Sequence, residues 1–403
     1  MFSNLNKKRV NKRYVPKLRF KGFENNYNKK IINDCFVILN GLSGLKAENF
    51  KYGNDKYIPY KTVFNNWFIN NNELEFFEKG TKKQNEVTKN DILITSSSET
   101  LNEIGYSSIY LDNEKVYLNS FCFILRNISK EVNSQYFNWL MKNKHYRKLI
   151  VNEGQGSTRY NLQKKQFKNI VFNFPLLEEQ EKISKFLNLL DKQISLLENK
   201  LKLTEQIKDW IIEFLYKKAK QNKKIKLSEI LDPRIVGHII DSKGYTPISI
   251  MLHGKGFKEN TLNVKLTKKG RKYYERFSGD LIIGLQNFHN GSIDILNDEY
   301  NKPIMSNAIA SFTNKSEYPL IIIKYILLSK KHQQYLINIA EGTGQKEFTI
   351  NKILNSYIWI PTHDLIEKFS KFIKTLELQI RNLQIKKDFL EKNKKYYLDN
   401  LFI

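Results

Sequence analysis

Three sets of residues have the types and spacing from which chemistry is often built. Gly154-Gln-Gly156 and Gly342-Thr-Gly344 are short glycine pairs of the kind that lets a backbone approach a phosphate. Asp232 with Asp241-Ser-Lys243 has the acidic-x-Lys shape of a metal-dependent nuclease, and Glu198-Asn-Lys200 repeats that shape. Polar clusters follow two apolar runs: Thr95-Ser96-Ser97-Ser98 after Asp91–Ile94, and Gln286, Asn287, His289 and Asn290 after Asp280–Ile283.

Catalysis finds little support among them. Neither glycine pair has the third glycine of a dinucleotide fingerprint, and no G-x-x-x-x-G-K phosphate loop occurs. No Asn-Pro-Pro-aromatic tetrad of an amino-methyltransferase is present. The histidines are scattered, with no pair four apart as a helical zinc site would want. Cys35 and Cys122 sit in apolar surroundings and are expected to be reduced core residues of a cytoplasmic protein, so the sequence implies no metal site. Acidic-x-Lys triples arise often by chance in a chain with 27% charged residues, and Glu198 and Lys200 lie on a helix surface. A nuclease using Asp232, Asp241 and Lys243 is an alternative that predicts metal-dependent cutting by the chain alone.

Binding chemistry is better supplied. The formal net charge is +26, which favours a polyanionic partner. No apolar run approaches the roughly 18 residues of a membrane span, and the N-terminal stretch is a basic arm (residues 1–14) rather than a secretory signal. Lys217–Lys226 holds six lysines and no acid. Lys255–Arg276 holds eight Lys/Arg with two acids, and Lys142–Lys168 eight with one. Such clusters can neutralise phosphates. Reading a base sequence needs side chains that reach base edges. The candidates in the first half are Lys61, Thr62, Asn65, Ser96, Ser97, Ser98, Gln155, Ser157 and Arg159. In the second half they are Lys258, Lys268, Arg271, Gln286, Asn287, His289, Thr343, Gln345 and Lys346.

The elements that must position these residues repeat. Shifting the sequence by 186 places Pro175–Tyr216 on Pro361–Phe402 without a gap, and 14 of 42 positions are identical. Upstream, Glu153-Gly-Gln-Gly156 meets Glu341-Gly-Thr-Gly344, Tyr57-Ile-Pro59 meets Tyr245-Thr-Pro247, and Asp91-Ile-Leu-Ile94 meets Asp280-Leu-Ile-Ile283. So long a period means a duplicated domain followed by a duplicated helix, not a solenoid. Within each domain, β-branched and aromatic runs read as strands. In the first domain these are Tyr57–Val63, Asp91–Ile94, Ser108–Leu111, Phe121–Leu125 and Phe167–Phe174, with a helix over Gln135–Val151. In the second they are Tyr245–Ile250, Asp280–Gly284, Ile309–Phe312 and Tyr357–Ile360, with a helix over Pro319–Ala340. Each domain is therefore a mixed α/β (α+β) fold. The framework repeats, but the loops differ: Asn65-Asn-Trp67 in one half faces His253-Gly-Lys-Gly256 in the other.

The two duplicated helices carry heptads. Ile183, Leu187, Leu190, Ile194, Leu197 and Leu201 keep 4,3 spacing in the first. Phe369, Ile373, Leu376, Ile380, Leu383 and Leu390 fall on the same frame in the second. Repeats this long argue for an antiparallel coiled coil, with Thr204, Lys208, Lys387 and Lys394 as polar register positions on the seam. The expected architecture is two tandem globular domains separated by two long helices, as a pseudo-twofold internal repeat. Its segments are a first domain over 15–175, a first helix over 176–218, a second domain over 219–360 and a second helix over 361–403. From Ile183 to Leu215 the helix would span about 50 Å, about one and a half turns of B-DNA at roughly 34–36 Å per turn. Such a rod would act as a ruler, so deleting a heptad from both helices should shorten the gap between two half-sites.

These residues resemble the specificity subunits of type I restriction–modification systems. Val15-Pro-Lys-Leu-Arg-Phe20 resembles that family's opening, and Lys89-Asn-Asp-Ile-Leu93 its Lys-Gly-Asp-Ile-Leu strand. Pro175-Leu-Leu-Glu-Glu-Gln180-Glu-Lys-Ile183, followed by Leu190-Asp191, resembles the start of its spacer helix. The second copy departs. Pro361-Thr-His-Asp-Leu-Ile366 lacks the Glu-Gln, and Glu377 replaces the Asp, so the two helix starts are not expected to meet partners alike. The resemblance implies that each domain is a target recognition domain reading one short half-site of double-stranded DNA. It implies a chain without an active site or cofactor of its own. Two methyltransferase subunits would carry S-adenosylmethionine, and two restriction subunits would join for cleavage, with ATP and Mg on the partners. The alternative is a basic DNA- or RNA-binding protein without bipartite readout.

Overall fold

The fold is described from a computed structural model over residues 2–4, 15–50, 52–70, 73–241, 243–260, 271–340 and 347–403. Of the expected basic arm, Phe2–Asn4 forms a strand paired with Leu18–Phe20, and the remainder lies outside the described residues. The chain divides into two compact units, Met1–Leu196 with Lys387–Ile403, and Leu197–Lys386.

In the first unit a five-stranded sheet is built from β1 (Phe36–Asn40), β2 (Phe68–Ile69), β3 (Ile92–Thr95), β5 (Ser107–Tyr110) and β6 (Cys122–Asn127), in the order β1-β6-β3-β5-β2. All neighbours are antiparallel except β5 and β2. Ile92, Leu93, Ile94, Phe123, Ile124 and Leu125 are fully buried, so both faces of the central strands are covered. The run expected as a strand from Tyr57 to Val63 breaks at Pro59. The strand Asp55–Ile58 ends there, and Tyr60–Asn65 forms helix α1 with Pro59 at its N-cap (φ −65°), a torsion already suited to starting a helix. Residues 135–151 are two helices, α2 (Ser134–Leu140) and α3 (Lys144–Asn152). Asn143 divides them: its side chain accepts from the His145 backbone N–H (2.8 Å) and donates to the Leu398 carbonyl (2.7 Å). Phe167 ends a short helix, and only Val171–Phe174 is strand. Cys35 and Cys122 are free and buried.

The long helix α4 (Leu177–Ala219) leaves the first unit and enters the second, and α7 (His363–Asn400) makes the converse passage. Within the first unit the helices run in opposite directions, because Phe186 meets Tyr397 (ring centroids 4.8 Å apart) and Asp191 meets Lys394. Ile183 and Leu187 share a core with Leu398, Leu401 and Phe402. Within the second unit Phe214 packs on Phe369, and Ile211 and Leu215 share a core with Ile366, Ile373 and Leu376. Every expected seam residue is inward. Ile183, Leu187, Leu190, Ile194, Ile373, Leu376 and Leu383 are buried, and Leu197, Leu201, Phe369, Ile380 and Leu390 half-buried.

The second unit repeats the central frame. Strands β9 (Leu231–Pro233), β12 (Leu281–Gly284), β13 (Ile293–Ile295) and β14 (Ile309–Asn314) form an antiparallel sheet in the order β9-β14-β12-β13. In both units the first strand pairs with the last and the last with the middle. The hairpin of β10 (Thr246–Ile250) and β11 (Phe257–Glu259) belongs to a second sheet. The helix expected over 319–340 is broken at Ser329 into α5 (Leu320–Leu328) and α6 (Lys330–Ile339), with the Ser329 hydroxyl accepting from the His332 N–H (3.2 Å). Among the described residues no helix is long and apolar enough to cross a membrane.

Candidate nucleic-acid interface

An arginine–carboxylate clamp fixes the start of each middle strand. Asp91, 3% exposed, takes two bonds from Arg126, Nε to Oδ1 (2.9 Å) and Nη2 to Oδ2 (2.6 Å). Asp280, 4% exposed, takes two from Arg234 (2.5 and 2.8 Å) and one from the Ser311 hydroxyl (2.6 Å). The carboxylate is repeated, while its arginine comes from β6 in one unit and from the residue after β9 in the other. Hydrogen bonding to the carboxylate raises the pKa of both arginines. The strand ends, and therefore the polar residues that follow them, are held rigidly.

In the first unit those residues enter a three-stranded ribbon. Strand β4 (Ser97–Ser98) pairs with β8 (Tyr160–Leu162), which pairs with β7 (Gly154–Gln155). The tip between β7 and β8 exposes Gln155, Ser157 and Arg159. Gly156 sits at φ +140°, where an added Cβ would meet the Arg159 carbonyl at 2.1 Å. Gly154 faces the side chains of Leu101 and Ile104. The turn's own packing thus demands both glycines.

The Arg159 guanidinium lies over the ring of Phe121 (4.9 Å), which is 49% exposed, and the Ser96 hydroxyl donates to the Phe121 carbonyl (2.7 Å). Helix α1 joins the same surface, because Tyr60 donates to the Ser97 carbonyl (2.7 Å). It exposes Lys61 and Asn65, one turn apart. Lys61, Asn65, Ser96, Gln155, Ser157 and Arg159 therefore belong to one connected surface.

Three expected contacts face inward instead. Thr62 is buried, its hydroxyl donating to the Glu73 carbonyl (3.3 Å). Ser97 is buried in the ribbon. Ser98 is buried too, accepting from the Thr100 N–H (3.1 Å) and donating to Glu103 (3.4 Å). These side chains serve the frame. The sequence reading missed Phe121, whose exposed ring orients Arg159, although it begins a run identified as a strand.

In the second unit the tip of the β10–β11 hairpin docks on the turn after β12: the His253 N–H donates to the Asn290 carbonyl (3.1 Å) and the Gly254 N–H to that of Gly291 (2.8 Å). Gln286, Asn287 and His289 are half-buried in that turn, with the His289 ring facing Phe348 and Asn287 accepting from Asn290 (3.2 Å). Lys258 and Arg271 are exposed. Lys268, Thr343, Gln345 and Lys346 lie outside the described residues. A cleft of about 1020 Å³ opens between the hairpin tip and the helices of this unit, lined by His253, Lys208, Glu377 and Arg381 among others. Its floor is an ion triad in which buried Lys324 contacts Asp294 and Glu377, each at 2.6 Å. Burial opposes the charge of Lys324, but the two carboxylates outweigh it and raise its pKa.

The acid–lysine patterns are otherwise engaged: Asp232 pairs with Lys315 (2.8 Å), and Asp241 accepts from the backbone N–H of Lys243 (3.0 Å). Among the described residues no group of three or more His, Cys, Asp or Glu could hold a metal ion.

The motif residues at the start of α4 hold the helix to its domain. Glu179, 1% exposed, is gripped by Arg19, Nε to Oε1 (2.8 Å) and Nη2 to Oε2 (2.7 Å), and accepts from Tyr27 (3.5 Å). Gln180 accepts from the Asn133 N–H (2.9 Å) and donates to the carbonyls of Glu131 and Pro175 (both 2.8 Å). In the second copy Ile366, buried in the core, stands at the Gln180 position. The two helix starts thus differ in how they are fastened.

Residues 24–208 match the family profile described as "Type I restriction modification DNA specificity domain". The chain is 24% identical over 375 residues to the type I restriction enzyme MjaVIII specificity subunit of Methanocaldococcus jannaschii, covering 86% of this chain and 85% of that one. Its fold is similar to the crystal structure of the S subunit of a type I restriction–modification system from M. genitalium (TM-score 0.65, 14% identity, 96% and 99% of the two chains). Over these spans the chain is similar to type I restriction–modification specificity subunits.

Proposed function

We propose that each of the two domains reads one short DNA word, and that the chain presents methyltransferase subunits to a split site whose gap follows from the length of the connecting helices. The observation that carries this reading is the repeated frame with unlike loops. The order β1-β6-β3 is matched by β9-β14-β12, and the Asp91 clamp by the Asp280 clamp. The side chains beyond those strands differ entirely. A repeated scaffold bearing two reading surfaces suits two different words.

The partner faces are on the helices. Leu203 and Trp210 on α4 are 60% and 62% exposed. Shifted by the repeat of 186 they become Phe389 and Tyr396 on α7, 61% and 53% exposed. Large apolar residues left in solvent at equivalent places, seven apart, mark interaction sites. Their duplication fits two copies of one methyltransferase subunit. In this reading the chain itself is non-catalytic and acts in the cytoplasm. S-adenosylmethionine belongs to the methyltransferases, and ATP and Mg to a pair of restriction subunits. The adenine to be methylated leaves the base stack, so the domains grip flanking phosphates.

The test is to co-express the chain with its neighbouring methyltransferase gene and map methylated adenines by single-molecule sequencing. Two unlike words at one fixed gap support the reading. A complex that forms without new methylation refutes it and favours a nonspecific basic binder.

A further inference from the structure

Helix α3 carries Lys144, Arg147 and Lys148 on one face, at i, i+3 and i+4. With Asn102, Val151 and Asn152 they line a groove of about 420 Å³ beside the short turn Leu101–Glu103. Like charges at this spacing oppose helix formation, yet among the described residues no carboxylate pairs with any of the three. Arg147 is held in place from several sides. Its Nη1 donates to the Gly105 carbonyl (3.0 Å), its Nη2 to those of Asn102 (3.0 Å) and Ile104 (2.7 Å), and its plane lies over the Tyr106 ring (4.9 Å). Main-chain dipoles orient the guanidinium but leave its charge uncompensated. Burial accordingly draws its pKa below the ordinary value.

The fold does not require these cations. Aligned through Glu153 and Glu341, the positions of Lys144, Arg147 and Lys148 are held in the second copy by His332, Tyr335 and Leu336. His332 and Leu336 are fully buried there. The groove belongs to the first domain alone. It also adjoins the reading surface: α3 runs through Glu153 into the ribbon, and Gly154 packs on Leu101 and Ile104 of the same turn.

We propose that this groove seats one or two backbone phosphates of the duplex read by the first domain, with Arg147 as the fixed donor and Lys144 and Lys148 as the outer cations. The proposal rests on the DNA-specificity reading. A phosphate held at the base of the ribbon would fix the register in which Gln155, Ser157 and Arg159 meet base edges.

The test uses the full chain and a duplex carrying the split motif found by methylation mapping, with binding followed by fluorescence anisotropy from about 0.05 to 1 M salt. Lys144→Gln/Lys148→Gln should lower the slope of log K against log salt by about 2. Affinity near 0.1 M salt should fall by about 60-fold and converge with wild type near 1 M. Both lysines are exposed, so the variant should keep its fold, checked by circular dichroism. The control is Lys192→Gln/Lys202→Gln, the same charge change at exposed positions of α4. A slope change no larger than the control's overturns the phosphate seat while leaving the specificity reading intact. Failure of the wild-type chain to bind the duplex overturns both.

Discussion

Glu179→Ala should destabilise the first unit severely. The substitution leaves the Arg19 guanidinium, 3% exposed, buried without its carboxylate, and removes both charge-assisted bonds. Breaking a buried ion pair from one side costs about 3–5 kcal/mol. With a urea dependence of about 2 kcal/mol per M for a domain of this size, the midpoint should fall by about 2 M. Glu179→Gln keeps an acceptor without the charge and should fall between. Removing both partners together, as Arg19→Met/Glu179→Leu, should recover most of the loss, because no buried charge is then stranded. The transition can be read from Trp67 and Trp139, which lie in the first unit, in a background where Trp210 and Trp359 of the second are phenylalanine. A midpoint within about 0.3 M of wild type for Glu179→Ala would refute the reasoning. So would a double variant no more stable than the single one.

His332 is fully buried with neither ring nitrogen hydrogen-bonded, and burial lowers its pKa to about 3. The unfolded chain takes up the proton near pH 6.5 and the folded one does not, so this stability is complete above 6.5 and is lost as pH falls toward 3. Wild type should lose about 3 kcal/mol more than His332→Phe between pH 7 and pH 4.5 in urea titrations. Lys394 pairs with Asp191 and covers the Trp67 ring at 3.5 Å, so Lys394→Ala should destabilise the first unit by about 1–3 kcal/mol, measured by the same fluorescence. Trp210→Ala and Tyr396→Ala should each weaken one of two partner sites about 30-fold or more, and native mass spectrometry should show complexes with one methyltransferase copy in place of two.

The heptad seam was legible because burial on a helix has a period and the apolar residues kept it over the length of both helices. The middle strands were legible as short β-branched runs. The breaks at Asn143 and Ser329 were not, because the apolar pattern runs through them and the deciding groups are single caps. Exposed Asn65 emerged from the unlike loops of the repeat, with Lys61 one turn before it. That Thr62 between them turns inward depends on the neighbouring Glu73 carbonyl. Arg19 and Glu179 stood out only through family resemblance, since nothing local announces a partner 160 residues away. The pairing of Phe121 with Arg159 depends likewise on a tertiary approach that composition does not encode.

Leu398, Leu401 and Phe402 lie in the core of the first unit, and the Leu398 carbonyl is bonded to Asn143. A ribosome making this chain finishes residue 196 and must then add about 200 more before those side chains exist, which at 5–20 residues per second takes roughly 10–40 s. Throughout that interval the apolar surface around Ile183, Leu187 and Tyr136 has no cover, while the whole of the second unit can emerge and close. The part translated first is therefore the part that matures last. During those seconds its uncovered apolar surface is open to aggregation.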